Sequence, residues 1–196
     1  ETPGGWDATD KLGVAVACLW EYSTQRMRVY GPDDVPALRE RLLRADRISG
    51  YNIWNFDFPV IWGISKSDWT KADPKGTTRY GSDMVEHVKQ LLLGKVNDLL
   101  RRIWVALGCD TDSNSPKHHV GCKLDDIASA TIGASKIGNG ADAPKWYQAG
   151  QIHRVVNYCA DDVAIERDLA DFIDRYGYVI HGGKQLFFKG STGNGK

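Results

Sequence analysis

The sequence predicts an α/β fold in a single domain, on three observations. Short apolar runs rich in β-branched residues, such as 12–21 (LGVAVACLWE), have the length and composition of strands. They alternate with segments whose apolar positions recur every three to four residues, the longest being 151–176. Glycine and proline mark the junctions, and 196 residues at 42% hydrophobic are enough to bury one sizeable core. The domain is expected to span 1–190, with 191–196 (STGNGK) as a flexible tail.

In chain order, 12–21 and 26–30 read as a hairpin around a turn at 22–25. Asp34 is positioned to cap a helix over 35–45, with Pro36 in its first turn and Leu38, Leu42 and Leu43 on one side. A strand over 47–53 follows, then a short buried helix over 55–64 and a loop over 66–81. Helices are predicted at 82–93 (Met84, Val88, Leu91, Leu92) and at 96–107 (Leu99, Leu100, Ile103, Trp104, Leu107), the second stopped by Gly108. Residues 109–121 read as a polar loop, 124–132 as a helix ended by Gly133, and 134–144 as an exposed glycine-rich loop. The helix over 151–176 is closed by Gly177, and strands at 178–180 and 185–188 form a last hairpin around Gly182 and Gly183.

Composition narrows the function. Lysine plus arginine equals aspartate plus glutamate at 25 each, so no global basic field can hold a long polyanion, and any nucleic-acid contact must be local. The cysteines (Cys18, Cys109, Cys122, Cys159) form no CxxC pair, and nothing in these residues resembles a signal peptide or a stretch of 18 apolar residues. A cytoplasmic, soluble protein with reduced thiols and no membrane association is expected.

Two aspartates stand where a core should avoid them. Asp57 lies among Ile53, Trp54, Phe56, Phe58, Val60 and Ile61, where an unpaired carboxylate costs several kcal/mol to bury. Asp162 falls within the apolar stripe of the long helix (Val155, Val156, Cys159, Val163, Leu169, Phe172, Ile173, Tyr176), whereas Asp161 points about 100° away. Tyr158, one turn earlier, projects over the same place as Asp162. Inward carboxylates from separate elements, beside a tyrosine, suggest a shared divalent cation.

At these residues the chain resembles a known family. "GYNIWNFDFPVI" (50–61) is similar to the second motif, and "YCADDVAIERDL" (158–169) to the third, of the DEDD superfamily of 3′–5′ exonucleases. The match is to the tyrosine-containing branch, like polymerase proofreading domains and helicase-associated nucleases: Tyr158 and Asp162 fit its Tyr-x-x-x-Asp, and Asn157 stands where the histidine branch needs His. The resemblance runs from about Leu12 to Tyr178, including "KLDDIASATIG" (123–133). It implies a ribonuclease-H-like mixed central sheet flanked by helices. The family's first motif, Asp-x-Glu on the first central strand, is incomplete: Glu1 is its best candidate and the aspartate would lie two positions earlier, so the first strand is expected to be truncated at the chain start.

The resemblance further implies that Asp57, Asp162 and Glu1 bind two Mg²⁺ or Mn²⁺ ions about 4 Å apart, which stabilise the attacking and leaving oxygens at phosphorus. Tyr158 would position the attacking water, Asn52 would touch the terminal nucleotide or orient Asp57, Trp54 and Phe56 would stack on an unpaired base, and Lys136, with Lys145, would touch phosphates. Single-stranded DNA or RNA 3′ ends are the expected substrate, with a helicase or polymerase as a possible partner. Plainer roles stand beside these: Asp57 as a helix cap, Trp54 and Phe56 as core, the lysines as solvated side chains. Asp7 or Asp10 replacing the absent aspartate, a zinc site from Cys109, His118, His119 and Cys122, and a ligand role for Asp83 are weaker options, and Asp125 and Asp126 suit a helix first turn. The competing function is a nuclease-like binding or scaffold module without the metal site.

Overall fold

The computed structural model describes residues 5, 7–71, 82–109, 121–136, 138 and 140–188. It is mixed α/β, and its strands form three separate two-stranded ladders.

The chain begins with the helical turn α1 (Thr9–Leu12), anchored where Thr9 Oγ1 donates to the Ile64 carbonyl at 2.6 Å. Gly13, at φ 65°, then redirects the backbone, so the apolar run becomes strand only from Ala17 and not from Leu12. β1 (Ala17–Glu21) pairs antiparallel with β2 (Arg26–Tyr30), as the alternation predicts. Helix α2 (Val35–Arg44) buries Leu38 and Leu42. Its expected cap differs: Asp34 accepts from the preceding Gly31 N–H at 2.9 Å and makes no side-chain cap to the helix.

β3 (Ile48–Gly50) is shorter than predicted because Asn52 is left-handed (φ 63°) and starts a wide π-type turn, Ile53–Asp57, which runs into α3 (Phe58–Trp62). The expected loop after it holds a helix, α4 (Lys66–Lys71): Ser65 Oγ caps it by accepting from Asp68 N–H at 3.0 Å, and donates its own proton to the Asp68 carboxylate. Helix α5 (Ser82–Leu92) turns Val85, Val88 and Leu92 inward and leaves Met84 and Leu91 exposed, contrary to the predicted stripe.

The predicted helix over 96–107 is a strand and a helix. β4 (Val96–Asp98) pairs parallel with β3, and α6 (Leu99–Ala106) starts at Asp98, whose carboxylate caps it. Helix α7 (Leu124–Ile132) matches its predicted bounds. Within the glycine-rich segment a 3₁₀ turn leads into α8 (Ala143–Gln148), which was not expected. The 25-residue α9 (Ile152–Tyr176) and the hairpin β5 (Tyr178–His181) and β6 (Lys184–Phe187) follow as predicted.

Two buried clusters hold these elements. One gathers Leu99, Ile103, Ile127, Leu169, Ile173 and Val179; the other gathers Leu38, Leu42, Ile48, Phe58, Trp69 and Leu92. Each such side chain contributes about 1.5–3 kcal/mol through burial. A cleft of about 2140 Å³ reaches residues of both. Among the described residues β1 and β3 are not hydrogen-bonded to each other, although both pack on α9 and both line this cleft. The expected mixed central sheet is not formed among the described residues, where no strand joins the two ladders. No described helix is long and apolar enough to cross a membrane.

Candidate functional site

The site is built around the turn that leaves β3. Asp98, only 4% exposed, holds it: Oδ1 accepts from Asn52 N–H at 3.1 Å and Oδ2 from Trp54 N–H at 2.9 Å, while Oδ1 also accepts from Leu100 and Arg101 N–H at the start of α6. One carboxylate thus caps a helix and fixes the wide turn whose last residue is Asp57. Burial raises the Asp98 carboxyl above its usual range, against the backbone N–H groups that favour its charged form.

Asp57 makes no cap hydrogen bond with α3, which sets aside its plainer role, and it lines the cleft. Its side chain has exposed surface, yet it stands within a dense shell of protein. That shell, followed by the negative charges of Asp98 and Asp162, pushes its carboxyl up to about 7, while water entering the cleft works against the rise.

Asp162 and Tyr158 reach the same cleft from α9. Asp162 Oδ1 is buried with no hydrogen-bond partner among the described residues, while Oδ2 accepts from Lys136 Nζ at 2.8 Å. Lys136 Nζ also lies 3.4 Å from the Tyr158 hydroxyl and 5.6 Å from its ring centroid. Lys136 loses hydration where it sits, but the hydrogen bond and charge of Asp162 outweigh that and hold its pKa up. Burial first, then Asp162, raises the Tyr158 hydroxyl, which stays a donor at neutral pH. The glycine-rich segment can lie on Tyr158 because it lacks side chains: a Cβ on Gly140 would come within 3.1 Å of the Tyr158 hydroxyl, and one on Gly138 within 3.5 Å of its ring.

The remaining expected residues divide. Asn52 and Phe56 line the cleft. Trp54 instead packs edge-on against Phe58 and Trp69, with Arg101 over its ring at 5.5 Å, in the manner of a core residue. Lys145 pairs with Asp142 at 3.0 Å on the surface, and Asp7 pairs with Lys66. Glu1, the Asp83 side chain, His118 and His119 lie outside the described residues.

Two acidic residues of the cleft region escaped the sequence reading. Asp98 has the signature of a helix cap, a polar pair before Leu99-Leu100, which was hidden by extending the helix back to Val96. Glu166 stands one turn after Asp162, lines the cleft and accepts the Tyr51 N–H; burial, then Asp57 and Asp162, raise its carboxyl well above the usual range.

Magnesium and manganese prefer such oxygen donors. The unpartnered Asp162 Oδ1 and the mutual repulsion of Asp57 and Asp162 fit a divalent cation at this end of the cleft. Among the described residues, however, no three His, Cys, Asp or Glu side chains form a ready cage. Comparison with known proteins gives no match: no family model, no curated protein and no solved structure resembles the chain significantly.

Proposed function

We propose that the chain is a metal-dependent 3′–5′ exonuclease with a ribonuclease-H-like plan, hydrolysing phosphodiester bonds at single-stranded DNA or RNA ends. The observation that carries this is the convergence of Asp57, Asp162 and Tyr158 on one cleft, with an orphaned carboxylate oxygen on Asp162. Asp57 and Asp162 would hold Mg²⁺ or Mn²⁺, and the family resemblance would add Glu1, which lies outside the described residues. When bound, the ions activate water and neutralise charge at phosphorus. Tyr158, protonated at neutral pH, donates to and orients the attacking water. Lys136, paired with Asp162 here, is placed so that it would contact phosphate if a cation took its place on that carboxylate. Phe56 and Asn52 receive the terminal nucleotide. The balanced charge of the chain suits a grip on a few nucleotides, with a helicase or polymerase supplying processivity.

The absence of a ready three-ligand cage among the described residues favours a second reading, a nucleic-acid-binding or scaffold module of the same plan without hydrolysis. Release of 3′ nucleotides from an end-labelled single strand in Mn²⁺ separates the two. Asp162→Asn is expected to abolish release with the circular dichroism spectrum intact, and Tyr158→Phe to weaken it less. Full activity in Asp162→Asn contradicts the nuclease assignment, and inactivity of the parent chain favours the module.

A further inference from the structure

Two thiols meet at the wall of the cleft. Cys18 stands on β1 and Cys159 follows Tyr158 on α9; the two elements pack on each other, and both residues line the cleft. Their contact is reciprocal: the Cys159 thiol donates to the Cys18 sulfur, and the Cys18 backbone N–H donates to the Cys159 sulfur. Both cysteines are free. Touching sulfurs on two packed elements are the starting geometry from which a disulfide can close without large backbone movement. We propose that Cys18 and Cys159 are an oxidation site, closing into an intramolecular disulfide when hydrogen peroxide enters the cleft.

The two sulfurs have different roles. The hydrogen bond from Cys159 lowers the Cys18 thiol, outweighing the burial that raises it, whereas the same hydrogen bond and then burial raise Cys159. Cys18 is therefore the nucleophile. Its thiolate attacks one peroxide oxygen, the O–O bond breaks, and the released hydroxide leaves as water with the proton that Cys18 gave up. Cys18 is then a sulfenic acid. The Cys159 sulfur attacks the Cys18 sulfur, the S–O bond breaks, and the hydroxyl leaves as water with the Cys159 proton. The two thiols together lose two electrons and two protons, and the peroxide is reduced to two waters.

The other two cysteines are the internal comparison. Cys109 packs on the cluster that buries Cys122, and burial, ahead of the charge of Cys109, raises the Cys122 thiol. A buried thiol held in its protonated form reacts poorly with peroxide, so oxidation discriminates between the two pairs. The Cys18–Cys159 bond closes a loop of about 140 residues, long enough that the oxidised chain gains stability by constraint of its unfolded state. It also fastens β1 to the part of α9 that carries Tyr158 and Asp162. The inference stands on the thiol pair and does not depend on nuclease activity.

The test exposes the chain to hydrogen peroxide, blocks the remaining thiols with N-ethylmaleimide, and maps the unreduced digest by mass spectrometry. Conversion of the exposed Met84 to its sulfoxide shows that enough peroxide was supplied. The expected result is one cross-link joining the Cys18 and Cys159 peptides, lighter than the free pair by two hydrogens and reversed by dithiothreitol. The oxidised chain is expected to melt about 5 °C or more above the reduced one. Cys159→Ser removes the second thiol and should leave Cys18 as a sulfenic acid that dimedone traps. Both thiols still blocked by N-ethylmaleimide once Met84 is oxidised overturns the inference. So does a Cys109–Cys122 bond in place of the expected one, a bond between two chains, or a Tm no higher than that of the reduced chain.

Discussion

Replacing Asp98 by alanine tests the local physics of the site most severely. The carboxylate receives four N–H groups, from Asn52, Trp54, Leu100 and Arg101. Loss of the cap on α6 costs about 1 kcal/mol. Loss of the charged acceptor for Asn52 and Trp54 costs about 1.5 kcal/mol each, for a gross loss of about 4 kcal/mol. Part of this is recovered, because alanine also removes a buried carboxyl whose charge the surroundings disfavour. The net expectation is about 2–3 kcal/mol, or a fall in Tm of about 5–10 °C for a chain of this size. Urea and thermal unfolding followed by circular dichroism measure it. Asp98→Asn, which keeps one acceptor oxygen, should fall between parent and alanine. An Asp98→Ala chain within about 0.5 kcal/mol of the parent, the ordinary range for surface substitutions, would refute the role given to this carboxylate.

Three further outcomes are expected. The Asp57 carboxyl is raised to about 7, so the native state holds its proton after the unfolded chain has lost it; stability from this group is greatest below about pH 4 and declines as pH rises to about 7. Metal-free Asp57→Asn should therefore gain Tm over the parent at pH 8 and match it at pH 4 in thermal melts. Lys136→Gln removes the cation that occupies Asp162, and should bind Mn²⁺ several-fold tighter by titration calorimetry while hydrolysing more slowly. Asn52 needs a left-handed backbone, so Asn52→Gly should leave stability nearly unchanged and Asn52→Ala should cost about 1 kcal/mol in urea unfolding; lost hydrolysis in Asn52→Gly would assign its side chain to substrate.

Elements with one strong periodicity or unambiguous stops were legible from the residues: the β1–β2 hairpin, α7 between Leu124 and Gly133, and α9 up to Gly177. The errors arose where local pattern and tertiary pairing compete. Val96–Asp98 reads as helix only when the stripe of 99–107 is run back past its Asp98 cap, and it is strand because β3 offers it a parallel partner. Lys66–Lys71 is helical through a two-residue cap that a reading by apolar period overlooks. In the site, Asp57 and Asp162 were conspicuous as charges in apolar surroundings. Asp98 and Glu166 were not, since one resembles an ordinary cap and the other an ordinary surface glutamate until the fold turns both toward the same turn and cleft. Trp54 shows the reverse: an aromatic beside the motif that the fold spends on packing.

Electron paramagnetic resonance of Mn²⁺ titrated into the chain measures directly whether the acidic end of the cleft holds a divalent ion. Saturable loss of the free-ion signal in the parent, weakened at least tenfold in both Asp57→Asn and Asp162→Asn, is the predicted result. Binding that is absent, or that survives both substitutions unchanged, contradicts it.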